Sequence, residues 1–321
     1  MQIKRILSSD IGGTNSRFAL FEIAPDGRPT LVEIQWLKTT ESSSFNNLLT
    51  NLKESGFTFH PDKIDMAVFA VAGPVEGGVR SSPPFISWNV DISNLGKDFG
   101  FKRCMLINDF VAQAYACLSP AGKSSRQILT GQPSPDGAKA VIGAGTGLGK
   151  AVLVPDGKGD YIVMPSEGGH ANFPFVSGKE FELHDFMKNK LGDRYITANK
   201  VVSGEGLRLV NWFLSGDKLE PGEVAAKLSQ YPETLEWVSR FYARVCRNFA
   251  LETLSTGGLY IAGGIAANTP ELVTGNFFAD EFRSSDTLAE LLDKIPVFLI
   301  TDQNSGLLGG AVLGAQKLRE K

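Results

Sequence analysis

The chain holds 321 residues, 42% of them hydrophobic and 21% charged, with 32 basic against 35 acidic side chains and a formal charge of −3. At about 100–200 residues per domain this is material for two domains with cores of their own, and the composition excludes a disordered or fibrous chain. The slightly acidic balance excludes a general nucleic-acid binder, which needs a basic face to displace counterions, and no apolar run nears the roughly 20 residues that cross a bilayer.

In chain order, the first residues lead directly into a strand-like run at 3–9, so no signal peptide is expected. Further short runs rich in Val, Ile, Leu and Phe, bounded by Gly, Asp or Pro, predict strands at 17–23, 30–37, 66–71, 103–107, 140–142, 150–154, 259–262 and 296–301. Apolar spacing of three and four predicts helices at 45–54, 110–117, 179–190, 205–214, 234–254 and 307–318. Together these predict an α/β fold with mixed sheets flanked by helices. The Pro-, Gly- and Ser-rich stretch 119–137 is the expected crossing between two domains. Aromatic residues in 234–254 fit a core or an interface. The small residues after Gly306 fit a closely packed core helix, with an interdomain hinge as the functional alternative. Cys104, Cys117 and Cys246 are odd in number and scattered, which is neither a disulfide framework nor a zinc spacing and fits a reducing cytoplasm.

Asp10-Ile11-Gly12-Gly13-Thr14 and Gly143-Ala144-Gly145-Thr146-Gly147 are both glycine turns between two strand runs, which predicts two related domains facing each other across a cleft. The second turn is no dinucleotide fingerprint, because Leu148 stands where a third glycine belongs. It is no P-loop either, lacking the Gly-Lys-Ser/Thr ending and leading into a strand. Such turns present backbone N–H groups and a threonine hydroxyl to an anion, and Asp10 adds a carboxylate able to hold a hydrated Mg²⁺. Either turn alone reads as well as an ordinary hairpin; the pair favours phosphate. Gly263-Gly264, ending a strand before a helix expected at Pro270, admits a flat adenine ring or simply tight strand–helix packing. Asn108-Asp109 ends an apolar strand before a helix, where the two residues serve as a helix cap or as chemistry, Asp109 accepting a hydroxyl proton and Asn108 orienting a substrate. Glu167 and His170 flank two glycines and form a compact hydrogen-bonding set; taken alone, His170 fits a structural histidine. With only His60, His170 and His184 in the chain, a histidine-based metal site is not expected, and His184 is expected on the surface of a charged helix.

In this order the segments resemble the sugar-kinase/heat-shock-ATPase/actin superfamily, and more closely the bacterial glucokinases of the hexokinase group. The resemblance rests on Asp10-Ile11-Gly12-Gly13-Thr14-Asn15-Ser16-Arg17-Phe18, Leu106-Ile107-Asn108-Asp109-Phe110 and Gly143-Ala144-Gly145-Thr146-Gly147-Leu148-Gly149. It continues through Glu167-Gly168-Gly169-His170, Val201-Val202-Ser203-Gly204, Tyr260-Ile261-Ala262-Gly263-Gly264-Ile265 and Gly306-Leu307-Leu308-Gly309. Each motif is weak alone; their ordered combination over nearly the whole chain is specific.

The resemblance implies a two-domain actin-like ATPase (ribonuclease H-like) fold with a central cleft. The small α/β domain would hold residues 1–118 and 305–321, the large one 119–304, with a homodimer formed through the large domain. It implies ATP-dependent phosphorylation of glucose at the 6-hydroxyl, giving glucose 6-phosphate and ADP, a glycolytic reaction. Carried over by residue, it makes Asp109 the general base and Asn108, Asp109, Glu167, His170 and Asn199 the sugar ligands. Asp10 becomes the carboxylate that organises Mg²⁺ through water, residues Gly12, Gly13, Thr14, Asn15, Gly145 and Thr146 the phosphate cradle, and Gly263 and Gly264 part of the nucleotide site. Phosphoryl transfer needs in-line placement and charge neutralisation more than covalent help, which suits this set.

Two departures bear on sugar choice. Many members of the family carry Glu where this chain has Asn199, and an amide lacks the charge-assisted acceptor. The segment Arg80-Ser81-Ser82-Pro83-Pro84-Phe85-Ile86-Ser87-Trp88 lacks the family's Thr-Asn ahead of the Trp, and its prolines predict a different loop shape by the cleft. The alternatives are a kinase for another hexose or an N-acetylhexosamine, and a non-catalytic sugar-sensing protein. Against the sensor stand Asp109 and a chain that enters its first strand with no helix-turn-helix; against the repressor/open-reading-frame/kinase subgroup stands the lack of its cysteine-rich zinc motif.

Overall fold

A computed structural model describes residues 3–58 and 60–320; Met1 and Gln2, ahead of the first expected strand, lie outside them. The strands are β1 (Lys4–Ile11), β2 (Asn15–Ile23), β3 (Pro29–Lys38), β4 (Met66–Val71), β5 (Arg80–Ser81), β6 (Val90–Asp91) and β7 (Cys104–Asn108). They continue with β8 (Arg126–Leu129), β9 (Lys139–Ala144), β10 (Leu148–Pro155), β11 (Tyr161–Ser166), β12 (Leu259–Ala262) and β13 (Val297–Leu299). The chain divides into two compact units: one runs to Ser124 and resumes at Asp302, the other holds Ser125–Thr301.

In the first unit the sheet order is β3-β2-β1-β4-β7. β1 pairs antiparallel with β2 and parallel with β4, which pairs parallel with β7. All six residues of β4 are buried, the continuous apolar run of a strand covered on both faces. Alternation along β1 and β4 divides the covering helices between the faces. Helix Phe45–Glu54, started by Ser44 accepting the Asn47 N–H, buries Phe45, Leu48, Leu49 and Leu52, and the Phe45 ring meets Phe69 edge-on at 5.2 Å. On the opposite face helix Ser305–Arg319 presents Gly310 to Ser8 and Gly314 to Ile6 and Val68. The same helix lies so close to helix Asp109–Ala116 that a Cβ on Gly309 would run into the Ala112 carbonyl. Ser305 Oγ donates to Gln113 Oε1 at 2.8 Å, fixing the start of one helix against the other.

The second unit repeats the pattern. Its sheet order is β11-β10-β9-β12-β13-β8, with β9 antiparallel to β10 and parallel to β12, and β12 parallel to β13. Five strands therefore have the order and sense of the first sheet, and the two sheets are mixed as expected. Its core collects Ile142, Val152, Leu259, Phe241, Tyr242 and Phe249, the last three from helix Pro232–Glu252. In this core Arg244, 3% exposed, donates to both oxygens of Glu180 (2.7 and 3.1 Å), to Glu281 (2.9 Å) and to the Pro174 carbonyl (3.0 Å). Helices Gly178–Leu191, Pro232–Glu252 and Asn276–Arg283 are thereby tied at one buried point.

Short elements that the sequence did not mark appear in both units, helices Asn276–Arg283 and Ala289–Lys294 among them, and three further features differ from the sequence-based expectations. The stretch 119–137 carries helix Pro120–Lys123 and strand β8, both too short for a periodic pattern. Strand β11 was not anticipated: it is an edge strand with Ile162 and Met164 exposed, so no apolar face marks it. The helix expected at Pro270 is present as Glu271–Thr274, with Pro270 at its N-cap, but an unanticipated short helix, Gly264–Asn268, precedes it because Gly263 at φ +89° turns the chain straight out of β12.

Replacing Arg244 by Met leaves the carboxylates of Glu180 and Glu281 nearly buried without their shared partner. The expected result in urea unfolding is a loss of about 3–5 kcal/mol; a change below 1 kcal/mol would contradict the role assigned to this network.

Candidate active site

In the first unit the parallel strands end together. Ile11 pairs in register with Val71, and Val71 with Asn108. Asp10 and Asn108 thus share the carboxyl edge of the sheet, two strand spacings or about 10 Å apart, at the position where α/β sheets bind ligands. Beyond β1 the chain reverses through residues 12–14, with the Gly12 N–H donating to the Asn15 carbonyl at 3.1 Å and the Thr39 N–H to the Thr14 carbonyl at 2.9 Å. Thr14 and Asn15 are exposed. The Asp10 carboxylate accepts a hydrogen bond from Arg17 Nη2. Arg17 is itself held by the Gln303 carbonyl at 2.6 Å and lies 5.3 Å from the Trp36 ring centre.

The segment after β5 closes over this edge. A Cβ on Gly13 would sit 2.7 Å from the Phe85 carbonyl oxygen, and one on Gly73 would sit 3.1 Å from Pro84. Gly13 is therefore required by the protein's own backbone. The Gly73 carbonyl in turn accepts from Asn108 Nδ2 at 3.1 Å. At the end of β7 the cap reading of Asn108 holds: its Oδ1 accepts the Phe110 N–H at 2.9 Å. Asp109 Oδ1 approaches the same N–H at 2.9 Å, so the carboxylate is oriented by the first turn of helix Asp109–Ala116 while it stays part-exposed.

In the second unit the equivalent reversal joins β9 to β10, with the Gly145 N–H donating to the Gly147 carbonyl at 2.7 Å. The buried Tyr242 hydroxyl accepts the Ala144 N–H at 3.1 Å, and the Gly204 N–H donates to the Gly145 carbonyl at 3.1 Å. Asn199 Oδ1 accepts the Leu148 N–H. Ala262 is in register with Gly143, and a Cβ on Gly263 would come within 2.6 Å of the Ala144 carbonyl, so the glycine pair lies beside the turn. A Cβ on Gly145 would meet nothing within 4 Å, and one on Gly264 only Asn268 Nδ2 at 3.8 Å. These two glycines leave space that the chain does not fill, which suits close approach of phosphate and of a flat ring.

The turn Gly168–His170 presents Glu167 and His170 to solvent, with side-chain exposures of 53% and 66% and 3.8 Å between carboxylate and imidazole. His170 is thus no packed structural histidine. Gly169 presses on the Leu148 carbonyl, seating this turn against the start of β10. His184, expected at the surface, is half-buried, its ring edge-on to Phe175 at 5.3 Å.

Of the expected residues, Asp10, Asn108 and Asp109 thus gather with residues 12–15 in the first unit. In the second, Gly145, Thr146, Asn199, Gly263 and Gly264 gather around one turn, with Glu167 and His170 packed beside the start of β10. Sequence reasoning gave no role of their own to Arg17, Phe85 and Lys150. Lys150 offered a signal, a lysine inside an apolar strand. It is 5% exposed, reaches under Gly168, where a Cβ would lie 3.6 Å from its Nζ, and stands 4.9 Å from the Phe249 ring centre. Burial lowers its pKa from the ordinary 10.5, while Glu252 and Cys246 pull the other way.

For magnesium, the described residues contain no group of three or more His, Cys, Asp or Glu side chains that could hold a metal ion. A magnesium nucleotide keeps most of its water and takes one or two carboxylates plus phosphate oxygens. The single Asp10 carboxylate, anchored by Arg17, fits that mode. Among the described residues no helix is long and apolar enough to cross a membrane.

A family model described as glucokinase matches residues 7–317. The glucokinase of Nostoc punctiforme is 30% identical over 347 residues, covering 97% of this chain and 99% of its own; that of Synechocystis sp. is 31% identical over 353 residues, covering 97% and 98%. Among solved structures, a glucokinase from an Antarctic psychrotroph superposes with a TM-score of 0.84 at 25% identity, covering 98% of this chain and all of that one. A hexokinase of the repressor/open-reading-frame/kinase group from Thermus thermophilus, at 16% identity and a TM-score of 0.69 over 98% of this chain and 100% of its own, has the same fold. The architecture is that of the actin-like ATPases.

Lys150→Met removes an ammonium that burial disfavours, and Glu252 is exposed and stays solvated without it. Because the folded-state pKa lies below the unfolded one, the unfolded chain binds more protons and the cost weighs on the fold at neutral pH. The variant is expected to melt higher than the parent at pH 7, with the gap narrowing as pH rises toward 10.5. A lower melting temperature at pH 7 would show that the charge is stabilising.

Proposed function

The chain belongs to the glucokinase family, and on that premise we propose that it transfers the γ-phosphoryl group of ATP to the 6-hydroxyl of glucose with Asp109 as general base. One observation carries this assignment. Asp109 follows the last residue of β7 on the edge that also holds Asp10 and the first glycine turn, its carboxylate oriented by the Phe110 N–H.

In the step itself, the glucose 6-oxygen forms a bond to the γ-phosphorus, the bond from that phosphorus to the β-bridging oxygen breaks, and the hydroxyl proton passes to Asp109. In phosphoryl transfer positioning and charge neutralisation outweigh proton abstraction, so the base needs placement above all. Asn108, with its amide fixed between Gly73 and Phe110, orients the sugar. Glu167 and His170 offer an acceptor and a ring nitrogen to its hydroxyls, and a sugar lacking one of them would leave a polar group unpaired. The N–H groups and hydroxyls of residues 12–15 and of Gly145 and Thr146 cradle the phosphates. Mg²⁺ bound with the nucleotide supplies charge neutralisation, and Asp10 is the residue that would hold its water shell.

The two units are, in this proposal, the family's small and large domains. The enzyme is assigned to the cytoplasm, supported by Cys104 and Cys246 remaining free thiols. The homodimer implied by the family resemblance belongs to the same proposal and is read by sedimentation.

Asp109→Asn keeps an oxygen for the Phe110 N–H and removes the base. Glucose-dependent ADP formation is expected to fall by about 10²–10⁴-fold in kcat, with glucose affinity by equilibrium titration changed far less. Activity within tenfold of the parent would remove Asp109 from the role. A parent enzyme that phosphorylates none of glucose, mannose, fructose or the N-acetylhexosamines would overturn the function as a whole.

A further inference from the structure

Asn199 stands where the family resemblance puts a sugar ligand, yet its side chain is engaged elsewhere. Its Oδ1 accepts the N–H of Leu148, the residue at which the β9–β10 turn becomes strand β10. Its amide also fills the space beside Gly147, where a Cβ would lie 2.5 Å from Oδ1 and 3.2 Å from Cγ and Nδ2. Five residues on, the Gly204 N–H donates to the Gly145 carbonyl at 3.1 Å. Both ends of the turn are therefore clamped from one segment, residues 199–204, with Thr146 exposed between the clamps.

That segment is itself anchored. Thr197 bridges to Asn172, the Ala198 N–H donates to the Ala171 carbonyl at 3.0 Å, and the Phe173 N–H donates to the Ile196 carbonyl at 2.9 Å. Residues 171–173 follow directly on His170, whose turn rests through Gly169 on the Leu148 carbonyl. Leu148 thus has its N–H held by Asn199 and its carbonyl packed by the Glu167–His170 turn.

We propose that Asn199 is a positioning residue for the nucleotide's phosphates: by holding the Leu148 N–H it keeps the glycine turn at 145–147 in the shape that receives ATP. The inference rests on the assignment of that turn to ATP and deepens it. A turn of two glycines and an exposed threonine has much backbone freedom to lose on binding an anion, and a side-chain clamp removes that freedom beforehand. An amide does this without placing a negative charge beside the site of an anion.

Asn199→Ala, in the full-length enzyme, is expected to raise the KM for ATP about tenfold, the value of roughly one lost hydrogen bond, while kcat and the KM for glucose stay within twofold. Hydrogen exchange of the peptide spanning 143–150, measured without ligand, is expected to quicken in Asn199→Ala and to return to the parent rate in Asn199→Asp, which restores an oxygen at the same place. If Asn199→Ala does not fold, Asn199→Ser, whose side chain is too short to reach Leu148, is read in the same way. A rise in the glucose KM with the ATP KM unchanged would make Asn199 a sugar ligand and overturn the proposal, as would unchanged exchange or an unchanged ATP KM. Failure of the parent enzyme to use any hexose would instead count against the family-level function, and the exchange measurement would still decide whether Asn199 holds the turn.

Discussion

The arrangement depends on how one strand in each sheet is paired. β1 and β9 are antiparallel to the neighbour on one side and parallel to the neighbour on the other. The antiparallel partner forces a reversal within a few residues, and the parallel partners bring other strand ends to the same edge. Backbone N–H groups there leave the ladder and need partners outside it. A reversal made of glycines offers those groups to an anion, and a strand end such as Asn108-Asp109 adds side-chain chemistry beside it. The edge is thus polar by construction, while the strands leading to it are buried and apolar.

Glycine does two different jobs at these edges. Gly13, Gly147, Gly169 and Gly263 are filled by the protein itself, by Phe85, Asn199, Leu148 and Ala144 respectively. They allow the chain to pack against its own turns. A Cβ on Gly145 would meet nothing within 4 Å, and one on Gly264 would meet only Asn268 Nδ2 at 3.8 Å, so at these two positions the chain itself does not require glycine. The distinction separates glycines the chain itself demands from those it leaves open within motifs that look uniform when written as letters.

The buried and half-buried charges follow one rule of pairing. Asp10 is paired to Arg17, which is anchored by Gln303 and Trp36. Arg244 is buried only because two carboxylates and a carbonyl surround it. Lys150 is the exception, an ammonium sunk beside an aromatic ring under the Glu167–His170 turn. Its desolvation is disfavoured by the same physics that makes the Arg244 network tolerable.

The sequence by itself determined the α/β class, the two glycine hairpins, the strand that delivers Asn108 and Asp109, and the family. These are written in local periodicity and in short motifs, where neighbouring letters suffice. It left β8 and β11 unmarked, because short or exposed edge strands carry no apolar face. Only the tertiary structure decided that Asn108 caps its helix, that the 80–88 segment rests on Gly13 and Gly73, and that Asn199 holds Leu148. Each of those contacts joins residues far apart in sequence or turns on a hydrogen-bond direction, and neither is encoded in the spacing of residue types along the chain.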